Sequence, residues 1–324
     1  MYFNSLRTLT LVIVITVFLS CDAPRKNPLD PNNPNRTLLT ISGIVQTISI
    51  PYIPVSNARI LWQNGQVSSI SNEDGIFIIE TVQKRDDWLY IEKNGFFHDS
   101  VYISWSDKKD IEIIFFLNSL PVPEGLNVYS SVLNRYPNLQ NEQLFMDVHI
   151  IDRDDDIDSV FVSNSYNNFY AHLLYNPSTQ KYEKSVSVID LNIIQLEEVL
   201  GHPFEFAVTD KFDHHLEIGQ LNLVRVIREE IFFQSPSGND TSSVRPTFVW
   251  QKYTPGFQHT YMLEIYTADI TPQLVWQKDN ISQHVTEYTI NQDLSPGEYF
   301  WVIWAIDEFR NRVRSKPASF RVLL

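Results

Sequence analysis

The sequence predicts an all-β protein in which three tandem β-sandwich domains follow a signal peptide and a tether rich in proline and asparagine. From residue 38 onward, short runs of β-branched and aromatic residues alternate with polar ones and end at Asn, Asp, Gly or Pro, as strands and tight turns do. Aromatic residues make up 13% of the chain, which favours many strands or aromatic contact surfaces. Only LNIIQLEEVLG (191–201) has the spacing of a short amphipathic helix.

The first 20 residues have the pattern of a secretory signal peptide. Arg7 is their only charged side chain, and the run TLTLVIVITVFL (8–19) is almost wholly apolar. A basic start and an apolar run of this length indicate export, since a membrane-spanning helix needs about 20 apolar residues. Residues 21–37 combine prolines with asparagines and charged side chains. This composition cannot bury a core, so it predicts a flexible, extended tether.

The single cysteine of the chain, Cys21, lies between these two segments. The residues Phe18-Leu19-Ser20-Cys21 resemble the lipobox of bacterial lipoproteins, in which a small residue precedes a cysteine that is diacylated and becomes the mature N-terminus. Lipidation would remove the free thiol that an exported chain with one cysteine otherwise exposes. The resemblance implies a lipoprotein anchored to a membrane of the cell envelope, such as the outer membrane. The alternative is an ordinary signal peptide that leaves a free cysteine beside its cleavage site.

The segment 38–120 carries strand-like runs such as TISGIVQ and DIEIIFFLN. The sequence Glu73-Asp74-Gly75 predicts a turn that contains a residue with positive φ. The segment resembles the carboxypeptidase regulatory-like domain at Gly43, Val45, Pro54, Asn57, Ala58, Ile60, Ser71, Asn72, Asp74, Gly75, Phe77, Leu89, Ile91, Lys93, Gly95 and Phe96. The resemblance implies a small transthyretin-like β-sandwich of the kind that usually serves as a non-catalytic accessory.

The segment 122–232 begins after a linker marked by Pro121 and Pro123. It contains six runs that alternate as strands do: LFMDVHIID, IDSVFVS, FYAHLLY, KYEKSVSVI, FEFAVTD and QLNLVRVI. We predict an immunoglobulin-like β-sandwich of six or seven strands here.

The segment 233–324 resembles a fibronectin type III domain. Trp250 stands where that family places its core tryptophan. Leu294, Pro296 and Tyr299 resemble the corner in which a tyrosine hydroxyl bonds back to the main chain. The resemblance implies a β-sandwich and names no ligand.

The charge of the chain excludes one class of partner. At pH 7 the formal net charge is −14. Binding to nucleic acid depends on the neutralisation of phosphates by basic side chains, so we expect no nucleic-acid partner.

One acidic turn and one histidine pair are candidate metal sites. Asp152, Asp154 and Asp156 have the odd-position spacing of a calcium loop, but Ile157 stands where an EF-hand needs glycine. A solvated acidic turn is therefore favoured, a structural calcium is the minor alternative, and no other cofactor is expected. His214 and His215 belong to TDKFDHHLE (209–217), which fits the tip of a hairpin better than a metal site.

The sequence offers no motif of a known enzyme class. It lacks the G-x-S-x-G, HExxH and CxxC patterns and a glycine-rich phosphate loop, and it has only 10 glycines. We therefore expect a protein that is not an enzyme, although pairs of catalytic carboxylates leave no signature among 39 acidic residues.

Two aromatic strands of the last segment predict the candidate binding surface. In TYMLEIYT and EYFWVIWAI, alternation turns one set of side chains to the core and the other set outward. These strands are neighbours in the fibronectin type III fold, which would bring together Met262, Tyr266, Phe300 and Trp304. Such a patch indicates a platform for a protein or glycan partner. The structural alternative is that these side chains pack against the preceding domain or a long loop.

These observations favour a lipid-anchored, non-catalytic protein of the cell envelope that functions in binding, adhesion or assembly. Two alternatives stay open, namely an enzyme that processes envelope polysaccharide and a purely structural spacer.

Substitution of the cysteine tests the anchor. We expect Cys21→Ala to remain unacylated, because the sequence has no other apolar segment that could hold the chain at a membrane. Mass spectrometry of the mature N-terminus checks this result. An unmodified N-terminus in the wild-type protein would refute lipidation.

Overall fold

The computed structural model describes residues 39–81, 84–238 and 240–323. Cys21 and the predicted signal peptide and tether lie outside the described residues. The chain divides into two compact units, residues 1–120 and 121–324. Both consist of strands packed as several sheets, which confirms the all-β prediction. No helix of the described residues has the length and hydropathy needed to span a membrane.

The first unit is built from two sheets around one core. Strands β4-β1-β7 form one sheet and strands β3-β2-β5-β6 form the other, and β1 pairs in parallel with β7. Trp62, Trp105 and Phe77 are fully buried between them. The strands are β1 (Leu39–Thr47), β2 (Arg59–Trp62), β3 (Val67–Ile70), β4 (Ile76–Thr81), β5 (Asp87–Glu92), β6 (Asp99–Ile103) and β7 (Asp110–Leu117).

The turn before β4 requires particular residues at two positions. The side chain of Asn72 accepts hydrogen bonds from the amides of Asp74 (3.1 Å) and Ile76 (2.8 Å). Gly75 has φ of 74°, and a Cβ at this position would lie 2.3 Å from the carbonyl oxygen of Val45. Only glycine fits both the conformation and the space, so the predicted positive φ is confirmed here.

Residues 122–222 supply seven strands to the second unit. They are β8 (Val122–Arg135), β9 (Leu139–Ile151), β10 (Ile157–Asn164), β11 (Phe169–Asn176), β12 (Lys181–Ser187), β13 (Pro203–Asp210) and β14 (His215–Asn222). Residues 169–173 of β11 pair with β10, whereas residues 174–176 pair with β12. Because β11 passes from one layer to the other, β14-β13-β10 and β12-β9-β8 enclose a common core.

The predicted helix over 191–201 is reduced to a single 3₁₀ turn, Leu196–Val199. Leu196 and Val199 are buried, while Ile194 is exposed and Asn192 has φ of 55°. The backbone is extended at Gln195 and at Leu200, and these two residues limit the helix to a single turn.

Residues 233–322 supply the remaining strands. They are β15 (Phe233–Ser235), β16 (Asp240–Ser242), β17 (Thr247–Trp250), β18 (His259–Thr267), β19 (Leu274–Ser282), β20 (Glu287–Thr289), β21 (Gly297–Asp307), β22 (Arg312–Arg314) and β23 (Ala318–Val322). A sheet of β15-β17-β20 faces a sheet that contains β19-β18-β21 with β22 and β23, an arrangement of the fibronectin type III kind. Trp250 is buried in the core, and the Tyr299 hydroxyl donates to the Ser295 carbonyl (2.9 Å), so both expectations for this segment are confirmed.

The two halves of the second unit share one sheet. Strand β22 pairs antiparallel with β21 and in parallel with β8, which places Arg312 opposite Ser131. The sheet therefore runs without a break through β12-β9-β8-β22-β21-β18-β19. Val132 of β8 is fully buried in the core of the following segment. Residues 122–232 and 233–324 thus lie within one compact unit.

Asn311 fixes this pairing through a buried set of hydrogen bonds. Its side-chain oxygen accepts from the amide (2.9 Å) and the hydroxyl (3.2 Å) of Ser130 in β8. Its own amide and side-chain nitrogen donate to Asp307 at the end of β21 (2.8 and 3.1 Å). One fully buried side chain therefore connects the strands on both sides of β22.

Replacement of this side chain tests its role. We expect Asn311→Ala to lower the free energy of unfolding by about 1–3 kcal/mol, because the buried amide of Ser130 loses its acceptor. Amide hydrogen exchange of β8 and β22 should quicken in the same variant. Urea unfolding and exchange measured by mass spectrometry check both effects. Asn141→Ala, at an exposed position of β9, is the matched control, and equal behaviour of the two variants would contradict the role of Asn311.

Candidate binding platform

The outward face of the shared sheet brings the four predicted aromatic and thioether side chains together. Met262 is paired with Trp304, and Tyr266 with Phe300, across β18 and β21. The face continues onto β22, β8 and β9. We call the following set the platform: Tyr129, Phe145, Met262, Glu264, Tyr266, Phe300, Trp304, Arg312 and Arg314.

Tyr266 and Phe300 form the end of the platform near β19. Their rings are stacked, with centroids 5.2 Å apart and an interplanar angle of 11°. Both side chains are half-buried. Met262 lies four residues from Tyr266 along β18, opposite Trp304, and accepts a hydrogen bond at Sδ from Gln277 Nε2 (3.2 Å). This end of the platform offers apolar surface to solvent.

Trp304 lies deeper than alternation alone indicates. It is only 8% exposed, and its Nε1 donates to the Glu264 carboxylate (2.8 Å). The Tyr266 hydroxyl donates to the same oxygen of Glu264 (3.0 Å). Val302, between these side chains, is fully buried although it does not belong to the sandwich core. The platform therefore has a packed floor of its own.

Two arginines of β22 cover this floor. The Cζ of Arg312 lies over three rings, at 5.0 Å from Trp304, 5.1 Å from Phe145 and 5.6 Å from Tyr129. The Cζ of Arg314 lies 5.8 Å from the Trp304 ring. Cations at such distances are attracted to the negative faces of aromatic rings. The arginines that cover Trp304 thus come from β22. Because β22 pairs with β8, they also connect the platform to the rings on β8 and β9.

A cleft of about 580 Å³ adjoins the platform on β9 and β12. In it, the Asp147 carboxylate accepts hydrogen bonds from Asn127 (2.9 Å), Lys181 (2.7 Å) and Arg310 (2.9 Å). Arg310 also lies over the Tyr129 ring, with Cζ 4.3 Å from its centroid. Tyr129 is stacked on Phe145 (5.4 Å, 9°), so the cleft and the platform share one row of rings.

Burial changes the acidity of three platform side chains. It raises the pKa of Tyr266 to about 12, with a further contribution from the negative charge of Glu264. Desolvation also lowers the pKa of Arg312 and the pKa of Arg314 from their ordinary values. The tyrosine therefore stays neutral at physiological pH, and the two guanidinium groups are partly removed from water.

At both candidate metal sites, side chains form hydrogen bonds within the fold. The Asp152 carboxylate accepts hydrogen bonds from the amides of Asp154 (3.4 Å) and Asp156 (2.8 Å), so it closes the acidic turn before β10. His214 bonds to Asp210 (2.7 Å) at the tip of the predicted hairpin between β13 and β14. No group of three or more acidic, histidine or cysteine side chains among the described residues is arranged to hold a metal ion. Calcium at the acidic turn stays a prediction.

The sequence interpretation missed the basic half of the site. Arg310, Arg312 and Arg314 stand at alternate positions of RNRVR, which is the spacing of one strand face. In the structure, Arg312 and Arg314 lie in β22, and Arg310 precedes the strand with φ of 70°. No sequence pattern predicts that Tyr129 and Phe145 lie beside these arginines, because their proximity depends on the pairing of β22 with β8.

Comparison with known proteins leaves the chain without an assigned family. No family model and no curated protein matches it. Among solved structures, the major pilin subunit BcpA of Bacillus cereus is similar over 88% of this chain and 96% of its own length, with 7% identity and a TM-score of 0.27. The fibronectin(III)-like modules of Clostridium thermocellum CbhA match 63% of this chain and 94% of their own length (8% identity, TM-score 0.30). The FN1-FN3 domains of chicken CNTN1 match 62% and 66% (10% identity, TM-score 0.23). At such low TM-scores, the fold description rests on the strand pairing of the chain itself.

The different burial of two platform aromatics gives a test of this packing. We expect Trp304→Ala to cost about 3–5 kcal/mol of stability, as truncation of a buried aromatic usually does. Phe300→Ser should cost less, about 1 kcal/mol, because Phe300 is more exposed to solvent than Trp304. Urea unfolding checks both values. Equal costs for the two variants would show that the floor beneath the arginines is not packed as described.

Proposed function

We propose that this chain is a lipid-anchored, non-catalytic binding protein of the bacterial cell envelope. In this proposal, Cys21 carries the anchor, residues 22–37 are the tether, and the platform binds the envelope partner. The single observation that supports it best is the platform, a continuous outward sheet face on which aromatic rings and arginines of two β-sandwich segments adjoin.

The accessible part of the platform has the composition of a binding surface. Binding surfaces are enriched in aromatic residues and arginine. Here the stacked pair Tyr266 and Phe300 and the guanidinium groups of Arg312 and Arg314 remain partly accessible. Glycan and protein partners both fit such a surface.

The carboxylates of the site support a non-catalytic role. Glu264 is held by Trp304 and Tyr266 on the floor of the platform, where both donors fix its position. Asp147 is held by three side chains in the adjoining cleft. Each carboxylate thus positions rings and cations, whereas a glycosidase needs a pair placed on either side of a bond to be cleaved.

Retention by envelopes tests the proposal. The chain from residue 22 onward, which keeps every described residue, is incubated with washed envelopes of the source bacterium and sedimented. We expect the wild-type chain to co-sediment and the double variant Tyr266→Ser/Phe300→Ser to bind at least about tenfold more weakly, a loss of about 1.4 kcal/mol.

A second exposed pair of aromatics supplies the matched control. Trp88 and Tyr102 contact each other across β5 and β6 of the first unit, with centroids 5.5 Å apart. Trp88→Ser/Tyr102→Ser should bind as the wild type does. Absence of any retention, or equal retention by all three proteins, would refute the platform and favour a structural spacer.

A further inference from the structure

Arg312 and Arg314 differ from the other described half-buried arginines of the second unit in forming no close ion pair. Arg225 lies 3.5 Å from the carboxylate of Asp307, and Arg228 forms ion pairs with two glutamates. Among the described residues, no carboxylate lies within 4.0 Å of Arg312 or Arg314, and the Glu264 carboxylate on the platform floor attracts both at longer range. Two partly desolvated cations therefore stand side by side on a chain whose net charge is −14.

Most hydrogen-bond donors of these guanidinium groups are unused. Arg312 donates through Nε to the Ser131 hydroxyl (3.2 Å), and no other hydrogen bond of its guanidinium exists within the described part of the chain. Arg314 Nε is buried and has no partner among those residues. The terminal nitrogens of both guanidinium groups also lack acceptors within the described residues, but unlike Arg314 Nε they reach solvent, where a bound anion can accept hydrogen bonds from them. Carboxylates match the planar fork of a guanidinium and bind it through two parallel hydrogen bonds.

The position of β22 determines how a partner can be recognised. Its main chain is paired with β21 on one side and with β8 on the other, so an extended peptide cannot add to it as a further strand. A partner must therefore contact side chains on the open face. Arg312 and Arg314 are two residues apart, roughly 7 Å along the strand, so one polymer can present an anion to each. Tyr266 and Phe300 offer apolar surface at the end of the same row.

We infer that the platform binds a polysaccharide that carries uronate groups, with Arg312 and Arg314 each holding one carboxylate while sugar rings lie along Tyr266 and Phe300. This inference rests on the proposed function and adds the chemical class of the ligand. It gives a role to two cations that form no close ion pair within the described part of this acidic protein, since each guanidinium meets one monoanion of the polymer.

Chemical reduction of the carboxylates tests the ligand class. Envelope polysaccharide is freed of protein with protease and divided, and one half is activated with carbodiimide and reduced with borohydride, which converts uronates to neutral sugars. The chain from residue 22 onward should bind the untreated half at least tenfold more tightly than the reduced half. Arg312→Gln/Arg314→Gln should bind both halves equally weakly.

The control variant carries the same change of charge elsewhere. Arg59→Gln/Arg245→Gln removes two exposed arginines that form surface ion pairs in the first unit and in the loop before β17. It should bind as the wild type does, and thermal unfolding should show all three proteins folded. Polygalacturonate is expected to compete for the site, whereas its methyl-esterified form is not.

Three outcomes separate this inference from the proposed function. Equal binding to untreated and reduced polysaccharide would overturn the uronate assignment, as would loss of all binding after protease treatment, which would identify a protein partner. In both cases, retention by envelopes that depends on Tyr266 and Phe300 would still support the platform. Retention that is unaffected by the platform variants would overturn both proposals.

Discussion

The parallel pairing of β22 with β8 is the interaction on which the second unit depends. It joins one sheet of the first sandwich to one sheet of the second. It also places Val132 of the first segment in the core of the next. Asn311 holds the pairing through buried hydrogen bonds to Ser130 and Asp307. Because such bonds are strong when fully satisfied and costly when broken, they specify one register between the two segments. Without this register, the rings of β8 and β9 would not lie beside the arginines of β22.

The platform follows from this register through simple electrostatics. Its rings present negative faces, and arginines from one short strand lie over them. Below the arginines, Glu264 accepts hydrogen bonds from Trp304 and Tyr266, which fixes the two rings relative to each other. Rings, cations and carboxylate therefore support one another within the sheet. The terminal guanidinium nitrogens of Arg312 and Arg314, unlike the buried Arg314 Nε, are the part of this arrangement that reaches solvent.

Local patterns account for the features that the sequence predicted well. Trp250 and Tyr299 belong to segments whose composition resembles a known fold, and each reaches the expected core position or hydrogen bond. Gly75 was predictable because a tight turn leaves few residue choices. The depth of Trp304 was not predictable, since it depends on long side chains from β22. The helix predicted for 191–201 is reduced to one turn for a local reason, the extended backbone at Gln195 and Leu200.

The sequence by itself determined the all-β class, since a period of two along each strand follows from the alternation of side chains. The same alternation decided that Met262, Tyr266, Phe300 and Trp304 share the face opposite the core. Only the tertiary structure decided what lies next to them. Ser130 and Asn311 are 181 residues apart, and their contact joins two halves that have no shared local pattern. Pairing between distant strands is set by the total burial and hydrogen bonding of the folded chain, so the row of arginines over rings became visible only in three dimensions.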